Sequence, residues 1–437
     1  MLQTFKNAWK VPELRKKILF TLMIILLYRI GATLTVPYVV VPDSTQSSLL
    51  TGGLFQFMGL LSGSAFSQAT FFALSVSPYI TASIVMQLLS IAIPALEKLS
   101  KDEMGKKKIA AATRWVTVGL ALITAYGYVN MLNMSGMLKI DNDVNAFFAW
   151  TVMIACFCAG ASLIMWLAEK INDHGIGNGI SMILFANILS GGAAAVQTLS
   201  DLVPVKMENE VLGYVLGAVE VVISLAVALA AVVLVVWFTN SERRIKVIYA
   251  KKVVGRKMYG GQKTNLPLKM NMAGVMPVIF ASSIVSIPAT IAAFFPGSGF
   301  ANFVTAWLSQ TSPIYIVVFI GLIFAFSYFY IAISFNPVEV ANNIRSNGGA
   351  IIGIRPQEMA PFIKKILNRV TLMGAVFLVI IAATPMIVSA IVTVAGGNFT
   401  SVAFAGTSLL IVVGVALETV RDLEAQLSMR NYKGFLD

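Results

Sequence analysis

The sequence predicts an all-α polytopic membrane protein, with ten transmembrane helices in two inverted halves of five. Three observations carry this. Hydrophobic residues make up 57% of the 437 and charged residues only 12%, a balance foreign to soluble domains of this size. Apolar runs recur along the whole chain, long enough in most cases to cross a hydrocarbon layer about 30 Å thick. Lys and Arg sit almost entirely in alternate connections, 29 of the 32 falling on one side.

The runs, in order, are Ile18 to Thr35, Phe71 to Ile93, Ala110 to Leu132, Ala146 to Leu167, Ile176 to Leu189, Val211 to Phe238, Ala273 to Phe295, Tyr315 to Phe335, Thr371 to Ile391 and Val402 to Leu417. An even number returns the chain to its starting side. The basic clusters place both termini in the cytoplasm. The other side carries only Lys139 and Lys206, and Arg29 lies inside the first run. Five runs precede about residue 205 and five follow. An odd number per half gives the halves 1–205 and 206–437 opposite orientations, as in inverted-repeat folds with a pathway at their interface. The net charge of +12 is thus concentrated on one face, as orientation signal and docking surface.

Met1 to Lys17 places Leu2, Phe5 and Trp9 at near-helical spacing among lysines, a helix expected to lie flat on the cytoplasmic leaflet. The first run carries Arg29, the run is too long for a secretory leader, and no small-residue cleavage pattern follows. A charge at that depth costs at least about 2.5 to 3.5 kcal/mol unless it is paired or snorkels. A paired structural arginine is the expectation.

Leu54 to Leu61 is a short apolar piece that stops at Ser62, Gly63 and Ser64 before the second run begins. Eight helical residues cannot span the membrane. Either the piece dips into the membrane beside a water-filled cavity, because unpaired backbone in lipid costs several kcal/mol, or it is an external loop with a surface helix.

Cys156 and Cys158 are two apart on one helix and point roughly 200° from each other, so they cannot pair. Between the fourth and fifth runs, Gly175, Gly177 and Gly179 surround Asn178 in a tight turn, beside His174, the only histidine. The loop 239–271 alternates as RRIKVIYAKKV and LPLKMN around GRKMYGG and is expected to project as a cytoplasmic β-hairpin. Its glycine pair faintly resembles a phosphate loop, but Gly261 stands where lysine is required. The loop 336–368 carries Arg345 and Arg355 among turn-forming residues.

Taken together, YRIG in the first run, SPYITASIVMQLL in the second, GIGNGIS opening the fifth, LPLKMNMAGVMPVIFASS around the seventh, FNPVE and GIRP in the last large loop and GTSLLIVV in the tenth resemble the bacterial SecY family over essentially the whole length. That family forms the central subunit of the Sec protein-conducting channel. The resemblance implies an hourglass pore between the halves, narrowed by an aliphatic ring of Val76, Ile80, Ile180, Leu184, Ile279 and Ile411. Val76 and Leu184 depart from an all-isoleucine ring. The resemblance also implies a re-entrant plug including Leu54, Phe55, Phe57, Met58, Leu60, Leu61, Ser62 and Gly63, and a lateral gate at Thr81 and Ile287. Docking for a SecA motor ATPase and the ribosome falls on Lys251, Lys252, Arg256, Lys257, Arg345 and Arg355. Further implied partners are SecE-like and SecG-like subunits, unfolded precursor polypeptides, signal sequences and membrane lipids. No cofactor, metal or catalytic residue is implied.

An aliphatic ring has its own physical logic: it offers a passing chain neither charge nor hydrogen bonds, and a narrow apolar waist dewets. Core packing or contact with lipid remains the alternative for each of these residues taken singly. A solute carrier would also have inverted halves and a broken helix, but carriers place ionisable groups at mid-membrane, and these runs are nearly free of carboxylates. An intramembrane enzyme would need a constellation of acids, histidines or metal ligands that the runs do not carry.

Overall fold

A computed structural model of the chain describes residues 2–40, 62–134, 136–139, 145–201, 222, 226, 228–249, 252–254, 257–259, 263–295, 298–308, 312–394 and 405–433. Helices dominate. They are α1 (Leu2–Lys10), α2 (Pro12–Gly31), α3 (Ser77–Ala92), α4 (Pro94–Lys101), α5 (Glu103–Met134), α6 (Ala146–His174) and α7 (Gly179–Asp201). After α8 (Ala228–Asn240) come α9 (Met276–Phe294), α10 (Gly299–Trp307), α11 (Pro313–Ser334), α12 (Pro337–Ser346), α13 (Met359–Val394) and α14 (Ala405–Lys433). Among the described residues, each of the ten apolar runs overlaps one of these helices, the sixth only from Ala228 onward and the tenth from Ala405. Among the described residues four stretches are long and apolar enough to cross a membrane, Met104–Met134, Ala146–His174, Pro313–Ser346 and Met359–Ile387, and α3, α7, α8 and α9 contain shorter apolar segments.

The second run is not helical from its start. Phe71 to Val76 turns, because Ala69 and Ser75 take positive φ values of 48° and 51°, and α3 begins at Ser77 with Pro78 in its first turn. Proline there needs no helical N–H partner, and its fixed φ suits the turn. The preceding residues fold inward, so Ala65, Phe66, Ala69, Phe72, Ala73 and Leu74 are all buried.

Two apolar cores lie side by side. The larger joins α2, α3, α6, α7, α8, α9, α11, α13 and α14. The smaller packs α5 and α6 over the turn that carries Phe66 and Leu74. Helix α9 packs against α3 and α5, while α14 packs on both α7 and α13. Helix α9 is thus in contact with two helices of the first five runs, and α14 with one from each set.

At the basic end the expected two-stranded element is larger than the sequence reading held. Strands β1 (Glu242–Tyr249) and β4 (Lys263–Lys269) pair antiparallel from Glu242↔Lys269 to Ile248↔Lys263. Beyond them β2 (Lys252–Val254) and β3 (Lys257–Tyr259) continue the same register. The correction is a third strand, β5 (Gly349–Ile351), which comes from the second loop and pairs with β1 at Val247↔Ile351. Ile245 and Val247 alternate inward from β1 and share a core with Ile344 of α12, Ile351 of β5, and Met359 and Ile363 of α13. The two large loops therefore form one module on the start of α13.

Helix α1 contacts α14 as well as α2. Ala8 is buried in a small core with Leu14, Ile176 and Leu423, while Trp9 stays about half exposed. The amphipathic segment thus has a protein-facing side beyond the leaflet contact expected of it.

Candidate functional site

All six aliphatic residues singled out above meet in the larger core. Val76, Ile80, Leu184, Ile279 and Ile411 belong to it, and Ile180 packs against it. The first five are at most 4% exposed. Val76 is the N-cap of α3, and the Ile80 N–H donates to its carbonyl at 3.0 Å, so both face the same way from the first turn. The residues arrive from α3, α7, α9 and α14, two helices from each set of five runs.

The glycine turn explains how α7 is aimed. The N–H groups of Ile176, Gly177, Gly179 and Ile180 donate to Thr21 Oγ1 at 3.1 Å, Asp422 Oδ2 at 3.1 Å, Asn172 Oδ1 at 2.7 Å and Asn178 Oδ1 at 3.1 Å. These amides before and within the first turn of α7 are satisfied by side chains from four places in the chain. Gly177 has φ +73°, a conformation open to glycine at no steric cost. Ile180 and Leu184 thereby leave the helix start one turn apart on one face.

A cavity of about 410 Å³ opens above the core at the basic end. Its floor is apolar and includes Val275, Leu378 and Leu410, all members of the larger core. Its rim is polar, with Asn178, Lys269, Asn271, Glu418, Arg421 and Asp422. Burial, reinforced by the Asp422 carboxylate, raises the Glu418 carboxyl above its ordinary range. Burial, reinforced by the Arg421 charge, lowers the Lys269 ammonium. The sequence reading missed this rim. Its signal was the acidic and basic cluster Glu418, Arg421 and Asp422 directly after the last apolar run, on the opposite side of Leu417 from Ile411.

Arg29 does find a partner, and it is a hydroxyl. Its guanidinium donates to Ser190 of α7, beside the turn at Gly63, whose φ is +64°. Ser62 is fully buried, and its hydroxyl accepts the Phe66 N–H at 3.2 Å. Of the suggested plug residues, Ser62 and Gly63 thus sit against α7, while Leu54, Phe55, Phe57, Met58, Leu60 and Leu61 lie outside the described residues.

Thr81 and Ile287 lie on α3 and α9, which pack against each other. The Thr81 hydroxyl donates to the Ser77 carbonyl of its own helix at 3.1 Å. Ile287, just before Pro288, is 37% exposed. Of the basic loop residues, Lys252 and Lys257 lie on β2 and β3, Arg345 ends α12, and Arg355 follows β5; both arginines are exposed. Lys251 and Arg256 lie outside the described residues.

The model of the SecY family matches residues 70–420. The protein translocase subunit SecY of Streptomyces galbus is 42% identical over 452 residues, covering all of both chains. Among solved structures, one described as a protein-conducting channel superposes with a TM-score of 0.59 at 16% identity, covering 96% of each chain. Sec61 in the canine ribosome-channel complex from the endoplasmic reticulum superposes with a TM-score of 0.57 at 15% identity, again covering 96% of each. At these identities the structural likeness concerns the fold, while the match in sequence runs from end to end. The chain belongs to the SecY family.

Proposed function

We infer that this chain is the channel-forming subunit of a protein translocase, passing unfolded secretory polypeptides across the cytoplasmic membrane and releasing transmembrane segments sideways into lipid. One observation carries the reading best: five aliphatic residues from four helices share one buried core, with Ile180 packed against it, beneath a polar-rimmed cavity. In this reading the cavity is the cytoplasmic vestibule and the core is the shut waist. A waist of Val, Leu and Ile has nothing with which to hold a passing charge or amide, and it excludes water when empty.

The halves 1–205 and 206–437 would part along the contact between α3, α5 and α9, opening a lateral gate at Thr81 and Ile287. Sorting there needs no chemistry beyond partition. A segment of about ten Leu-like residues gains roughly 3 to 6 kcal/mol on entering lipid, and one central charge costs about 3. Residues 54–63 would plug the outer funnel, with Ser62 and Gly63 seated on α7. The positive-inside distribution supports both termini in the cytoplasm.

The exposed Arg345 and Arg355 belong to one folded module, a suitable platform for carboxylate or phosphate groups of a motor or ribosome. SecE-like and SecG-like subunits are proposed on family grounds, as is a SecA-like motor. A ribosome partner is supported by the Sec61 relative, which was solved in a ribosome-channel complex. The test is reconstitution in liposomes with a SecE-like subunit and a SecA-like motor. Protection of an unfolded precursor from protease only when ATP is supplied is expected. Equal protection without this chain would contradict the reading.

A further inference from the structure

Between α9 and α11, at the end away from the basic loops, lies α10. Ser298 starts it, its hydroxyl accepting the Ala301 N–H at 3.1 Å. One face is fastened to the protein: Ala301 and Val304 are buried against Ala292 of α9, with Ala289 and Leu308 beside them. The other face is uncovered. Phe300, Phe303 and Trp307 are 45%, 55% and 53% exposed. At 100° per residue their spacing of three and four puts all three rings within an arc of about 60°.

What covers this face is constrained by the chain around it. From Met270 to Val338 there is no charged side chain, so neither α10 nor the chain that flanks it carries a charge to steer or orient a charged protein partner. Exposed apolar side chains also flank α10 along the chain, with Phe295 beyond the end of α9 and Ile314 and Val317 in the first turns of α11. Nine residues are too few to span a bilayer. A short helix with aromatic rings on one side, set where two apolar helices end, matches the lipid–water interface, where Trp is enriched.

We propose that α10 is an interfacial anchor, with its Phe300, Phe303 and Trp307 face immersed in the lipid of the leaflet opposite the basic loops, holding the outer end of α9. Its contacts on α9 lie past Pro288, which supplies no N–H to the helix ladder. The part of α9 before Pro288 can then swing while the part after it stays tied to the membrane surface. Because α9 lines the contact with α3 and α5, lipid packing in that leaflet biases how readily this contact opens. The anchor depends on the membrane placement proposed above, and not on the aliphatic waist.

The test uses the full chain in phosphatidylcholine and phosphatidylglycerol vesicles, with Trp9, Trp115, Trp150, Trp166 and Trp237 replaced by Phe so that Trp307 reports alone. Lipids brominated near the glycerol backbone should quench Trp307 more strongly than lipids brominated near the chain ends. No quenching by either, as a protein partner or a second copy covering the face would give, overturns the anchor. Stronger quenching from the chain ends overturns it too. Should the five replacements prevent folding, a nitroxide on Phe303→Cys, with Cys156→Ala and Cys158→Ala, gives a second reading. Relaxation by oxygen should exceed that by a water-soluble nickel chelate, and the reverse order refutes the proposal. Vesicles that translocate precursor yet hold Trp307 in water would sink the anchor and leave the proposed function standing.

Discussion

The Asp422 carboxylate accepts the backbone N–H of Gly177 at 3.1 Å, across 245 residues of chain. Its neighbour Arg421 reaches the other way, donating to the Thr239 carbonyl at 2.7 Å and to Asn240 Oδ1 at 2.8 Å. Gln426 donates to the same Asp422 oxygen and accepts from Lys17 Nζ, both at 3.1 Å. The end of α14 therefore pins elements from both sets of five runs at the basic face. Asp422→Ala removes the acceptor for Gly177 and Gln426 together. A loss of about 1.5 to 3 kcal/mol is expected for a hydrogen bond to a charged group, visible as a lower Tm of the detergent-solubilised chain. An unchanged Tm would show that the pin carries no strain-free energy worth measuring.

Glu418 gives a pH-dependent expectation. Its carboxyl is raised by burial and by Asp422, so the folded state binds its proton more readily than the unfolded chain does. Stability then falls as pH rises from the ordinary carboxylate value through the raised one. Glu418→Gln should raise Tm near neutral pH, with the gap from the parent closing as pH drops below the carboxylate range. A gap of constant size across that range would place the effect elsewhere.

The module of β1, β4 and β5 predicts coupling between its strand and its arginines. Ile351→Asp puts a charge into the core shared by β1, α12 and the start of α13. It should unpair β5 and abolish motor-driven protection of precursor. Arg355→Glu should also abolish that protection but leave β5 paired, with the circular dichroism and membrane insertion of the chain unchanged, because its side chain is exposed. Normal secretion with Arg355→Glu refutes its docking role.

Truncating the core separates packing from passage. Ile279→Ala should cost about 2 to 5 kcal/mol, the usual range for emptying a buried aliphatic site. Ile411→Asn should instead wet the waist, and vesicles carrying it should leak small ions that the parent retains. Equal, low leak in both would argue that this core is ordinary packing.

The fold was largely legible because apolar runs and basic loops are written locally, residue by residue. What escaped was written non-locally. Strand β5 is the three residues GAI, whose pairing with Val247 depends on a partner about a hundred positions away. Phe71 to Val76 is apolar enough to be read as helix, yet left-handed Ala69 and Ser75 turn it inward. Ser190 gave no hint that it would meet Arg29, since one hydroxyl in an apolar helix carries no sequence signal. The aliphatic set came from family likeness. Val76 and Ile411 look like any other apolar residue until the chain is folded, and only then do they share a core. The rim at Glu418 and Arg421 hid in a tail that reads simply as polar.

The most direct measurement places a photoreactive side chain at Ile80 or Ile411 and arrests a secretory precursor halfway through the reconstituted channel, with a control at the exposed Val317. Crosslinks from Ile80 and Ile411 to the arrested chain, and none from Val317, are expected. Labelling of lipid instead of precursor at both core positions would contradict the account.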